Sequence, residues 1–482
     1  MPSKKTLSAK NLQALGAERL AELLLEVTAG NAAAKRRLRL ALADAQGPRE
    51  VAHEVRKRLG EIKRGSRFIE WSESRTFASD LELQRKAIVN KVGEGDPGAA
   101  VDLLWRFVEL GNAVYARCDD SSGVIADVFR TACEDLGRLA TAAGAEPVAL
   151  ADRTYDALVS NDYGLTDRLI SILAPALGAK GLEHLKVRIV ILSNTPVKRS
   201  PDNQRKVVGG GSFGPTYADE VEERSRQSTV RHALQDIADV QGDVDAFIAQ
   251  HPPEFRKAPK TAAEIAQRLV AAGRADEALR VLDEADAPRH HWWLPDFDFA
   301  DARIAALEAL GRLNEAQGAR WSVFEQDLSP DHLRTYLSKL PDFEDLEAEE
   351  RALTHAEGVD NAHQALWFLL EWPALDRAAR LVLARASDLD GNHYGLLTPA
   401  AEALAEKYPL AATVLLRAMI DFSLVRARSS RYRHAARHLM DCAGLATRIE
   451  DFGALEPHAD YQARLRREHG RKSSFWDAVA SA

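Results

Sequence analysis

The stretch Thr261–Ala285, TAAEIAQRLVAAGRADEALRVLDEA, decides how the rest of the chain is read. Ile265, Ala266, Leu269, Ala278, Leu282 and Ala285 stand where a tetratricopeptide-type helix pair needs large and small residues so that its helices pack closely. Gly273-Arg274 makes the turn between them. A second such turn, Gly311-Arg312-Leu313-Asn314-Glu315-Ala316, follows after 38 residues, close to the roughly 34-residue period of these repeats. Weaker echoes are Pro373–Ala378 (PALDRA) and Arg431–Ala435 (RYRHA). Another echo links Pro97-Gly98-Ala99-Ala100 before Leu103-Leu104 with Pro409-Leu410-Ala411-Ala412 before Leu415-Leu416. The irregular spacing predicts an all-α, tetratricopeptide-like helical-repeat solenoid of degenerate repeats, in which stacked helix pairs bury apolar faces between neighbours.

The same helical period extends toward the N-terminus. Leu12, Leu15, Leu20, Leu23, Leu24 and Val27 recur at three- and four-residue spacing, which places them on one helix face. Pro48 opens a further helix, since its missing amide hydrogen costs nothing in a first turn, and Pro97–Tyr115 forms another around Leu103, Leu104, Phe107, Val108 and Leu110. Leu185–Leu192 (LKVRIVIL) is rich in β-branched residues, which favour extended backbone, but a lone strand has no partner, so a buried helix is expected. Ser193–Tyr217 concentrates Pro, Gly, Ser and Asn without any helical period and reads as a long mobile loop or linker. The expected organisation is an N-terminal helical array over 1–192, the loop over 193–217, and helical repeats over 218–482.

Composition narrows the class of function. The 482 residues carry a net charge of −8, with 28% charged and 46% apolar or aromatic, an ordinary soluble balance far from the disordered extreme. Cys118, Cys133 and Cys442 are odd in number and far apart, so neither a disulfide framework nor a four-cysteine zinc site is expected, and the reading is cytoplasmic. The N-terminal MPSKKTLSAKNLQAL lacks the apolar core of a secretory leader, and no window approaches the roughly 20 apolar residues of a membrane span.

Several motifs invite chemistry and are outweighed by plainer readings. Val207–Pro215 (VVGGGSFGP) is glycine-rich but lacks the Gly-Lys-Ser/Thr that opens a helix in a phosphate-binding loop, so a flexible linker is expected. His434, His438 and Cys442 fall at i, i+4 and i+8 on one helix face. The outer two lie roughly 12 Å apart along the axis, too far to share one zinc at about 2 Å, even with His458 or His469 supplying a further ligand. His290–Asp301 (HHWWLPDFDFAD) holds Trp292 and Trp293. Tryptophan is enriched at binding hot spots, but a helix start near Pro295-Asp296 stapled by apolar residues accounts for the run equally well.

Positive charge gathers in two places. Lys35–Arg67 holds eleven Lys/Arg against four Asp/Glu, an excess of +7 in an acidic chain. Arg426, Arg428, Arg431, Arg433 and Arg437 surround Tyr432. Both can attract phosphate backbones through counterion release, although charged helix faces are usually simply solvated. No Ser/His/Asp grouping, His-Glu-x-x-His or Gly-x-Ser-x-Gly stands at meaningful spacing, so neither an enzyme nor a cofactor is expected.

Leu366–Pro373 (LWFLLEWP), Asp390–Tyr394 (DGNHY), Tyr408–Ala412 (YPLAA), Leu416–Ile420 (LRAMI), Arg431–Leu439 (RYRHAARHL) and the ending from Tyr461 through His469–Lys472 (HGRK) to Phe475-Trp476 together resemble an uncharacterised family of bacterial helical proteins, a domain of unknown function. More distantly, Cys118–Gly123 (CDDSSG) and the helical repeats resemble the helical region of SWIM-type zinc-finger proteins, without the Cys-x-Cys and Cys-x-His signature that binds zinc there. The resemblance implies an all-helical repeat fold in the bacterial cytoplasm and supplies no catalytic residues. The function expected is therefore a non-enzymatic scaffold or adaptor that binds a protein partner, with Trp292, Trp293, Arg426, Arg428, Arg431, Arg433 and Arg437 as candidate surface. The alternative is a nucleic-acid-associated accessory protein using its basic helical faces.

Overall fold

The computed structural model describes residues 7–199, 201, 204–211, 214–286 and 297–481, and over them the protein is all-helical apart from one small hairpin. Trp292, Trp293 and the expected helix start at Pro295-Asp296 lie outside the described residues. No helix among the described residues is long and apolar enough to cross a membrane.

The two glycine turns that anchor the repeat reading are near copies. Gly273 and Gly311 both take left-handed backbone, with φ of +75° and +72°, the conformation that ends a helix most cheaply in glycine. The next amide in each reaches back five residues: Arg274 N–H donates to Leu269 O at 2.8 Å, and Arg312 N–H to Leu307 O at 2.9 Å. Both arginines then clamp the first turn of the following helix, Arg274 Nε on Glu277 and Arg312 Nε on Glu315, each at 2.7 Å. The weaker echoes carry the same bond, from Ala374 N–H to Leu369 O and from Arg428 N–H to Ser423 O, both 2.9 Å. Helix Pro259–Ala271 packs against both Ala275–Asp283 and Asp298–Ala309, and the latter packs in turn on Leu313–Asp327.

The chain divides into two compact units, Met1–His251 and Pro252–Ala482. The division therefore falls downstream of the 193–217 segment at which the sequence breaks. The reason is packing: helix Ala218–Gln241 lies on helix Leu169–Ser193, and its Val230, Ala233 and Ile237 join the core built by Trp105, Phe107 and Phe129. Leu185–Leu192 is helical as expected, within Leu169–Ser193, a segment broken at Gly178 by left-handed backbone.

The expected mobile loop needs correcting over its second half. Val207–Gly211 pairs antiparallel with Gly214–Tyr217. The base of this hairpin is closed by side chains: the Arg205 guanidinium stacks 3.7 Å over the Tyr217 ring and pairs with Asp219 and Glu220 at 2.9 and 2.6 Å. Glycine content hid a strand pair that is held by its ends.

Candidate functional site

Three consecutive helices of the second unit build a trough of about 880 Å³. Its floor is helix Pro409–Val425, in which Ala411 through Arg417 are all buried. A helix buried nearly all round must be covered on several sides, and this one packs against Tyr394–Leu404 and Tyr432–Ala446, which form the walls. Leu416, Met419 and Ser423 face the trough from the floor, Tyr394, Thr398 and Ala401 from one wall, and His434, His438 and Leu445 from the other. The floor comes close to the first wall because Gly391 has no side chain: a Cβ there would overlap the Ala418 carbonyl oxygen. Thr398 Oγ1 donates to Met419 Sδ at 3.4 Å across the same junction.

Two arginines tie the walls together at their ends. Arg431, just ahead of the second wall helix, lies 4.6 Å from the Tyr394 ring and 5.6 Å from that of Phe422, and its Nη1 donates to Asn392 Oδ1 at 3.1 Å. Arg448, just past the end of the same helix, donates to the carbonyls of Ala405 and Glu406, the last acceptors of the opposite wall, which a cation satisfies well. Arg437 and Met440 stand exposed between these ties. His438 is largely buried, and burial holds its pKa below the ordinary 6.5. Its Nδ1 finds no hydrogen-bond partner among the described residues, the Asp441 carboxylate standing 3.8 Å away.

The structure thus gathers Arg431, Arg437, His434 and His438 at one site, while Arg426, Arg428 and Arg433 are exposed outside it. Cys442 is buried behind the wall, its thiol pushed up to about 12 by that burial. Among the described residues no group of three or more His, Cys, Asp or Glu is arranged to hold a metal ion. Sequence reading missed Tyr394, Thr398, Met419, Met440 and Arg448. A signal was present: Arg431, His434, His438, Asp441, Leu445 and Arg448 follow helical spacing, and a face mixing cations with leucine is neither core nor plain solvated surface.

A family model described as a family of unknown function (DUF6880) matches residues 2–478. The chain belongs to that family. The trough lies wholly within the stretch shared with the other DUF6880 proteins. No curated protein matches this DUF6880 chain.

Proposed function

We propose that this DUF6880 protein is a non-enzymatic, tetratricopeptide-like helical-repeat scaffold of the bacterial cytoplasm, and that the trough receives a segment of a protein partner. The repeated glycine turns and successive helix-on-helix packing of the second unit support the solenoid reading. The observation that carries the function is the trough, with Leu416 and Met419 on its floor, Leu445 on one wall, and at its edge Arg437, which has no ion pair among the described residues. An apolar base with a polar rim is the pattern of a hot-spot pocket, and unbranched methionines adapt to varied apolar guests. The fitting guest carries apolar anchor side chains flanked by a carboxylate that meets Arg437. The trough volume of about 880 Å³ also sits within the roughly 300–1,000 Å³ of small-molecule sites, which favours a small apolar anion as the second reading.

The test compares affinity purification on wild-type protein with the Met440→Glu/Arg437→Glu variant, both residues being exposed so that folding is spared. A partner held by wild type alone, and then rebinding as a purified protein through an apolar and acidic segment, supports the reading. Identical recoveries from both proteins overturn it, and native mass spectrometry showing a small anion lost from the variant would replace it with the second reading.

A further inference from the structure

The basic segment of the first unit carries a separate site. Helix Pro48–Arg64 buries Val51, Ala52, Val55, Leu59 and Ile62 on one side. At 100° per residue, Lys63, Arg56, Arg49, Arg64 and Lys57 follow one another over an arc of about 120° that starts at the edge of the buried side and ends opposite it; all five are exposed, and Glu50, Glu61 and Glu54 occupy the next arc round the helix. The stripe runs about 22 Å along the helix axis. Two neighbouring cations are already used inside the fold: Arg36 and Arg58 converge on buried Asp80 at 3.2 and 2.6 Å. The five stripe cations differ, since among the described residues none has an ion pair or side-chain hydrogen bond. A few residues beyond the end of this helix, Phe68 and Trp71 stand 49% and 58% exposed, so their rings are accessible for stacking.

We propose that this stripe and its aromatic end bind single-stranded nucleic acid, independently of the trough. The cations match a phosphate backbone, and accessible aromatic rings close in sequence to a basic track suit the stacking of unpaired bases. A membrane surface fits less well, because the apolar face of the helix is spent on the core and is not free to enter lipid. A duplex fits less well because its stacked bases offer nothing to Phe68 and Trp71.

The experiment uses the full chain and a fluorescein-labelled 20-nucleotide oligouridine followed by anisotropy. Five phosphate contacts on a single strand predict a log–log salt slope near −3.5, or about a 100-fold loss of affinity between 50 and 200 mM salt. The Arg49→Gln/Arg56→Gln/Lys57→Gln/Lys63→Gln/Arg64→Gln variant should lose binding at 50 mM salt with an unchanged melting curve, and Arg49→Lys/Arg56→Lys/Arg64→Lys should retain it. Phe68→Ala/Trp71→Ala should keep the salt slope and lose the preference for the single strand over a 20-base-pair duplex. The proposal is overturned by absence of binding at 50 mM salt, by undiminished binding of the five-residue glutamine variant, or by equal affinity of the wild type for the duplex. It is likewise overturned if phosphatidylserine vesicles bind the stripe and the oligonucleotide does not.

Discussion

Two arginine-rich stretches that look alike in sequence do different work in the fold. In Lys35–Arg67 the internal positions Arg36 and Arg58 are neutralised on Asp80, Arg67 pairs with Glu73, Lys35, Arg37 and Arg39 lie on helix Ala32–Asp44, and five further cations are exposed on helix Pro48–Arg64. Around Tyr432 the arginines divide by position: Arg431 is locked against Tyr394 and Asn392, Arg437 edges the trough, and Arg426, Arg428 and Arg433 lie outside it. Local charge density is therefore a poor guide to role. What matters is whether a cation has a carboxylate, aromatic ring or carbonyl within reach of its own rotamers.

Four measurements sharpen or break this contrast. The largest effect is expected at Gly391, where Val would press on the Ala418 backbone, which no rotamer change relieves; a loss of about 3 kcal/mol or more in urea unfolding is expected, and an unchanged midpoint would refute the close approach. Next, Arg431→Ala removes a cation–π contact and a hydrogen bond, for about 1–2 kcal/mol, whereas Arg56→Ala on the open stripe should stay within about 0.5 kcal/mol. Similar losses at both positions would erase the distinction drawn between the two stretches.

Acidification should act through the second unit. Burial lowers the pKa of His363, His438 and His458 below 6.5, and His363 Nε2 accepts the Asp390 N–H at 3.0 Å, so it must be unprotonated. The unfolded chain then binds protons more readily than the folded one. Stability is full above about pH 6.5 and falls as pH drops through that value toward the folded pKa of each ring. The melting temperature should decline from pH 7.5 to 5.5, and His438→Gln should decline less. An equal decline would show that burial does not shift His438. The smallest effect has the opposite sign to that of Gly391: Gly60, inside the stripe helix, would place a Cβ only against the flexible Arg64 guanidinium, so Gly60→Ala should stabilise by about 0.5–1 kcal/mol.

Legibility in the sequence followed the range of the interactions. The helix-pair turns at Gly273 and Gly311 were readable because their bonds span five residues. The unit division was not, since it depends on Val230, Ala233 and Ile237 meeting a core assembled from helices far earlier in the chain. Arg431 and Arg437 were recognisable as surface candidates, but the trough joins residues 391–405 to 431–448 across an intervening helix, and no local pattern announces that. The Val207–Tyr217 hairpin escaped because its glycines carry no alternation and its closure lies in Arg205 and Tyr217.

The arginine ties at the two ends of the trough also set a ruler along its walls. Arg431 and Arg448 bridge the walls on either side of a span of about 16 Å set by the eleven-residue wall helix. For the proposed partner segment this sets a length: its apolar anchors must fall within that span to reach Leu416 and Met419 while its carboxylate meets Arg437.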